Sequence, residues 1–435
     1  MKKIFFCIYH KRDHLFFSNL AKKFNPKDFE IYFLYFITIP KDKSRINKLY
    51  FYNFLNGNFE NNINTQKQYL FHEKLWSFSS YEQLEKKYKN YYAAFEKIVY
   101  SYDIKLVIQE LGGFICHLSL FQYTQNNNID HLFIEPTFLK KYFFFLKNTI
   151  EIDEGIDFNS GSEAKKIYFN YSEQLNSTEY IAINFKDLHL KKKNMFYLLF
   201  SKYVLHRFFV KIIQFIKNEK SEFRNLGIHC LDFFRRIIFQ ILNIFIKKEK
   251  LESLKNFIYY PLHVPRDLAL TLRAPKKIDQ ISSLKKIFAN NYEKIVFKEH
   301  PLIFARNSYH KIKKKFKNVG FFHNNISSNN IIKKCKFVIT INSKAGIEAL
   351  VLNKPVLTLE KNYYTGEGLG YYCENNNSFN YFLKNLNKYH PNKKRVDNLL
   401  IKLSKKCIFF DLYNNNNDNL KKSFESIKQV LLKYC

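Results

Sequence analysis

The chain has 435 residues, 46% of them hydrophobic and 18% aromatic, and 71 Lys and Arg against 38 Asp and Glu leave a formal net charge of +33. That length exceeds one ordinary core and predicts two domains. The seven cysteines are scattered without a CxxC pair, which argues against a disulfide framework or a zinc site and fits a reducing cytoplasm.

The charge suits nucleic acid, anionic lipid, or nucleotide-activated and acidic substrates. The basic residues are spread along the chain, with no dedicated arm. The bias that raises Lys also raises Asn, Ile, Phe and Tyr, as an AT-rich coding sequence would. The opening MKKIFFCIYHKRDH carries an apolar run too short for a signal peptide. No segment reaches the ~18 uninterrupted apolar residues of a spanning helix. The expected location is the cytoplasm, with attachment to the inner membrane surface as an option.

In chain order, Lys3–Tyr9 reads as a buried strand, His14–Phe24 as a helix and Glu30–Thr38 as a second strand. Tyr81–Tyr100 reads as a helix. Lys105–Gln109 is a short strand running into Glu110-Leu111-Gly112-Gly113, followed by a helical pattern over Phe114–Gln125 and a strand at His131–Ile134. This rhythm predicts a Rossmann-like unit. Residues 186–250 carry Lys and Arg beside aromatic-aliphatic faces, consistent with a membrane-surface helix or with an ordinary helical connector. From Phe257 the α/β rhythm resumes. Strands are predicted at 257–260, 294–297, 319–322, 337–341 and 355–359, with helices at 279–290, 308–316, 329–334 and 343–352. The predicted division is 1–185, a connector at 186–250, a second Rossmann-like domain at 251–410 and a terminal helix at 411–435.

The stretch TINSKAGIEAL (340–350) breaks the apolar run of a strand with small residues. Ligands in open α/β sheets bind outside the carboxyl ends of the strands. Asn342 and Ser343 sit at such an end, and Ser343 is a natural N-cap. The N–H groups of Ser343, Lys344, Ala345 and Gly346 would present a helix dipole to a phosphate. Small residues at 345 and 346 would let it approach, and Glu348 would reach a ribose hydroxyl pair. A plain strand–helix corner gives the same pattern.

Six of the 11 glycines fall at Gly112-Gly113 and at Gly346, Gly366, Gly368 and Gly370, and five of the nine prolines lie at strand ends. Rare residues collected there imply special loop geometry. Lys298 and His300 follow another strand end as a candidate phosphate-binding pair, and His263 and Asp267 follow a third. Gly112 and Gly113 fit either close approach to a substrate or a tight turn. Tyr363, Tyr364 and the Gly366–Gly370 loop fit either closure over a base or a surface loop.

KEHPL (298–302) and TINSKAGIEALVLNKPVLTLEKNYYTGEGL (340–369) together resemble the capsule polysaccharide biosynthesis family of bacterial glycosyltransferases, which includes β-Kdo transferases. YYPLHVPRD (259–267) is similar to that family's Pro-Leu-Gln strand end, with His263 in place of Gln. FIEPTFLKKYFFFLKNTIEIDEGIDFN (133–159) is similar to its acidic-aromatic segment, with Pro136-Thr137 in place of a Gly. The resemblance implies an α/β fold of GT-B type, two Rossmann-like domains with parallel sheets facing a central cleft. The acceptor would sit on the first domain and a CMP-sugar donor, CMP-Kdo, on the second, with no metal and no further cofactor. The leaving phosphate would be stabilised by Lys298, His300 and the Ser343–Gly346 amides, with Pro301 beside them in the donor-nucleotide site. A carboxylate on the first domain, Glu135 or else Asp153 or Glu154, would activate the acceptor hydroxyl. The expected partners are a nucleotide-sugar donor and a glycan or lipid-linked acceptor, not nucleic acid. Two other enzymes fit similar motifs, a sugar-nucleotide 2-epimerase and a CDP-polyol phosphotransferase. A nucleic-acid-binding protein rests on charge alone.

Overall fold

In the computed structural model, the described residues are 2–37, 46–55, 63–139, 141–176, 226–288, 293–300, 307–412 and 414–434, with isolated positions between 209 and 216. Their apolar runs form thirteen strands: β1 (Lys2–Ile8), β2 (Phe29–Tyr35), β3 (Asn47–Tyr50), β4 (Leu106–Glu110), β5 (Asp130–Pro136), β6 (Tyr142–Lys147), β7 (Ile258–Pro261), β8 (Ile295–Lys298), β9 (Val319–Phe321), β10 (Phe337–Thr340), β11 (Val356–Thr358), β12 (Tyr371–Tyr372) and β13 (Cys407–Phe409). They build two sheets, ordered β13-β6-β5-β4-β1-β2-β3 and β12-β11-β10-β7-β8-β9. The chain divides into two Rossmann-like units. One holds the described residues of 2–160 and 405–434, the other those of 161–176 and 227–404.

In the first unit β1 pairs in parallel with β2 and β4, and β4 with β5, whereas β6 and β13 are added antiparallel. Nearly continuous apolar strands such as KKIFFCI and LVIQE suit a sheet covered on both faces. The core gathers Ile4, Phe6, Ile108 and Ile134 with Phe16, Leu20 and the late residues Phe410 and Ile427. The helix Tyr81–Tyr102 starts in a capping box between Ser80 and Gln83 and stops at Asp103, whose φ is +49°.

The second unit's sheet is wholly parallel. Its helices return the chain between strands, and their apolar faces close on Tyr260, Leu284, Phe297, Ile339, Leu357 and Phe382. Fully burying one such side chain is worth ~1.5–3 kcal/mol.

Two segments depart from the predicted division. The helix Gly161–Asn176 belongs to the second unit, and β13 with the helix Asn417–Tyr434 returns to the first. The reason is register: Cys407–Phe409 pairs antiparallel with Phe144–Tyr142, an aromatic edge otherwise left open. Of the predicted connector, residues 186–208 lie outside the described residues. Leu226–Ile244 is one helix, with Leu231, Phe234, Ile238 and Phe245 exposed at and beyond its end. Among the described residues no helix is long and apolar enough to cross a membrane.

Candidate functional site

An open parallel sheet has a crevice where neighbouring strands send their connections to opposite faces. In the second sheet that point falls between β7 and β10. β7 leads into His263, whose main chain is held from both sides by Gln280, His263 N donating to Oε1 at 2.9 Å and Gln280 Nε2 donating to His263 O at 3.1 Å. β10 ends at Thr340, whose buried hydroxyl oxygen accepts from Ser343 N at 3.1 Å and lies 3.5 Å from His263 Nε2. Burial lowers His263 to about 4, so its ring is neutral at pH 7. Asn342 ties the end of β10 to the helix Leu268–Thr271 by donating from Nδ2 to Ala269 O at 2.7 Å, while its buried Oδ1 has no hydrogen-bond partner among the described residues. Asp267 caps the short helix Leu268–Thr271 through Ala269 N at 3.1 Å.

β8, beside β7, contributes Lys298 and His300. Lys298 is buried, with Nζ 3.4 Å from both Glu299 O and Ser328 Oγ. His300 is lowered to about 4, first by burial and then by the positive charges of Lys298 and Lys344, against the opposing pull of Asp267. Glu348, one turn into the helix Lys344–Val351, is only 7% exposed, and no protein group among the described residues hydrogen-bonds its carboxylate. Burial raises it to about 7, with Lys344 and Lys298 pulling the other way. Lys298, His300, Asp267, Lys344 and Glu348 therefore share one electrostatic neighbourhood at the strand ends. It offers two ammonium groups, a neutral imidazole and an unbonded carboxylate. Pro301 lies outside the described residues.

Three expectations at this site change. Tyr364 does not close over a base: it is fully buried, and its hydroxyl donates to Ser343 O at 2.8 Å. Gly346 makes room for that ring, since a Cβ there would lie 2.7 Å from its Cε2, Cζ and Oη atoms. The amides expected to face a phosphate are largely occupied. Ser343 N donates to Thr340, Ala345 N to Ser343 Oγ at 3.3 Å and Gly346 N to Ser343 O at 2.9 Å. Gly368 sits in a turn with φ +69°, and its carbonyl accepts from Asn392 N at 2.8 Å.

In the first unit, Gly112 makes a tight turn against His117, whose ring atoms would lie 2.4 Å from a Cβ; Gly113 beside it is buried. Glu135 stands at the end of β5, opposite Phe144 of β6. Asp153 and Glu154 lie on an exposed turn, where Glu154 accepts a hydrogen bond from the Thr149 hydroxyl.

Several working residues escaped the sequence reading. Glu299 accepts from Asn307 N at 2.7 Å and Asn307 Nδ2 at 3.0 Å, tying Asn307 to the end of β8. Asn243 continues that tie, donating to Asn307 O at 2.9 Å and accepting from Tyr309 N at 2.9 Å. The only signal for Glu299 was its place between Lys298 and His300; a lone Asn in a helix gives none.

The family described as capsule polysaccharide biosynthesis protein matches residues 156–395. Protein FixF of Sinorhizobium fredii (strain NBRC 101917 / NGR234) is 34% identical over 122 residues, which are 26% of this chain and 28% of that protein. The matched stretch thus spans little more than a quarter of that relative. The β-Kdo 2,7 transferase KpsC of Thermosulfurimonas dismutans aligns over 99% of this chain and 100% of its own, at 12% identity and a TM-score of 0.39. The UDP-GlcNAc 2-epimerase of Methanocaldococcus jannaschii, solved with UDP-GlcNAc and UDP, aligns over 99% of both chains at 11% identity and a TM-score of 0.33.

Proposed function

Because the chain belongs to the capsule polysaccharide biosynthesis protein family, we propose that it is a metal-independent glycosyltransferase that moves Kdo from CMP-Kdo to a glycan or lipid-linked acceptor. The observation that carries this reading is the group at the strand ends of the second sheet. A departing nucleotide phosphate needs fixed positive charge and hydrogen-bond donors. Lys298 and Lys344 supply the charge. His300, neutral at pH 7, supplies an N–H donor. Glu348, with no donor on its carboxylate among the described residues, takes the ribose hydroxyls. His300 and Lys298 are the catalytic groups of this unit in the sense that they touch the leaving phosphate.

The acceptor binds on the first unit, whose strand ends supply the base. The protein works at the inner membrane surface, supported by the exposed apolar residues and neighbouring Arg235 and Lys247 of the helix Leu226–Ile244 and the residues just beyond it.

A melting-temperature screen against CMP, CDP, UDP, GDP and their sugar conjugates tests the donor class, since a ligand bound only by the folded state must raise the transition. A rise with CMP and CMP-Kdo is expected. A rise confined to UDP-sugars favours the epimerase reading, and one confined to CDP-polyols the phosphotransferase.

A further inference from the structure

We propose that Glu110, at the point of the first sheet where the connections change face, is the group that takes the proton from the acceptor hydroxyl; this rests on the transferase reading above. In the order β13-β6-β5-β4-β1-β2-β3, β1 has β2 and β3 on one side and β4 to β6 on the other. The crevice therefore opens at the carboxyl ends of β1 and β4. β1 leads into Tyr9 and His10, and β4 ends at Glu110.

The two strand ends are clamped together by Arg12. Its Nη2 lies 3.1 Å from Glu110 Oε2 and 3.2 Å from Asp13 Oδ1. Asp13 is buried and committed to the loop, its Oδ2 accepting from His10 N at 2.9 Å and Tyr9 N at 3.3 Å. Glu110 is not so committed. Among the described residues Arg12 makes the one hydrogen bond to its carboxylate, Oε1 receives none, and the side chain is 28% exposed. Behind it the turn of Gly112 packs on His117, which stacks on Tyr9 with ring centroids 4.0 Å apart. The wall is thus closely packed and its imidazole neutral, since burial lowers His117 to about 3.

Register separates Glu110 from the other carboxylate near this edge. Glu110 pairs with Ile134, so the two share a face of the sheet. Glu135 is the next residue on β5 and points to the opposite face. Its strand is also one removed from the crevice. Burial raises Glu110 to about 7, with the charge of Arg12 lowering it and that of Asp13 raising it. Those two, from the helix Lys11–Ala21, are the charged groups acting on it; His10 and His117 line the same strand ends. A base poised near the working pH is matched to proton transfer.

In the step itself the acceptor oxygen bonds the anomeric carbon of the sugar. The bond from that carbon to the nucleotide phosphate oxygen breaks, and its electron pair leaves with CMP. The acceptor proton goes to the Glu110 carboxylate.

The test is CMP release from CMP-Kdo by the full chain, with water as the acceptor, followed from pH 5 to 9. Wild-type turnover should fall as pH drops below about 7. Glu110→Gln should lose ~10²-fold or more and lose that acid limb, while CMP still raises its melting temperature as in wild type. Glu110→Asp should retain the limb at a reduced rate, and it carries the test if the Gln variant does not fold. Arg12→Met should move the limb to higher pH, which loss of a mere strut would not do. Loss of the acid limb in Glu135→Gln with Glu110→Gln unaffected would move the base to Glu135 and overturn the proposal. A Glu110→Gln variant with the wild-type rate and limb overturns the proposal alone. A wild-type chain that neither binds CMP nor releases it overturns the transferase reading as well.

Discussion

Gly346→Ala gives the sharpest test of how the helix Lys344–Val351 is held, because two effects of opposite sign compete. In an unobstructed helix the change stabilises, by ~0.5–1 kcal/mol, since glycine loses more backbone freedom on folding. Here the new methyl would stand 2.7 Å from three atoms of the Tyr364 ring and hydroxyl. That side chain has nowhere to go: it is fully buried and bonded to Ser343 O at 2.8 Å. Overpacking of a filled core costs ~1–3 kcal/mol, and losing the hydroxyl's bond adds ~0.5–1.5 kcal/mol. The net expectation is a loss of about 2 kcal/mol. Urea unfolding should show a lower midpoint with an unchanged slope. Tyr364→Phe alone should cost ~1 kcal/mol. In a Tyr364→Leu background, Gly346→Ala should become neutral or stabilising, so that the two positions couple. A Gly346→Ala protein more stable than wild type would refute the claim that the ring is fixed against this helix.

His300→Ala should lower sugar transfer by ~10²–10³-fold while moving the unfolding midpoint little. Equal turnover by the variant would remove His300 from the phosphate site. Glu348 is raised to about 7 in the folded chain, against an ordinary value of 4.5. The folded state therefore binds its proton more tightly, and stability falls as pH rises through 4.5 to 7. Glu348→Gln should be more stable relative to wild type at pH 8 than at pH 5, and should weaken the CMP-induced rise in melting temperature. An unfolding difference that is the same at both pH values would contradict the buried charge. Asn243→Ala removes two hydrogen bonds, to Asn307 and Tyr309, at ~1–3 kcal/mol for the buried groups left unsatisfied; urea unfolding of that variant should show a correspondingly lower midpoint, and an unchanged midpoint would contradict the tie. Phe234→Ser with Ile238→Ser should reduce sedimentation with vesicles containing phosphatidylglycerol. Unchanged sedimentation would leave the helix an ordinary connector.

The alternation of strand and helix in both units was readable because most strands are short apolar runs and several lead into a helix with a capping side chain. Ser343 illustrates this: its side chain accepts from Ala345 N where the sequence placed an N-cap. The grouping of Lys298, His300, Asp267 and Glu348 was readable for a related reason, since parallel strands put their carboxyl ends on one edge. What local pattern does not carry is pairing across long separations. β6 is a run of aromatic residues with no alternation, and β13 joins it from more than 250 residues away. Tyr364 and Gly346 were misjudged for the same cause: the ring that explains the glycine comes from a loop 18 positions later. The Arg12–Glu110 pair joins residues 98 apart, and nothing near either one announces the other.

The return of Cys407–Phe409 to the first sheet has a consequence for how the polypeptide acquires its shape during synthesis. A ribosome delivers residues 2–160 well before 405–434, yet until the latter emerge the first sheet lacks β13, and its core lacks Phe410, Leu420, Ile427 and Leu431. The second unit, essentially continuous from 227 to 404, can be complete by then. A released chain truncated after residue 404 should thus hold a protease-resistant unit over 227–404 and a vulnerable one over 2–160.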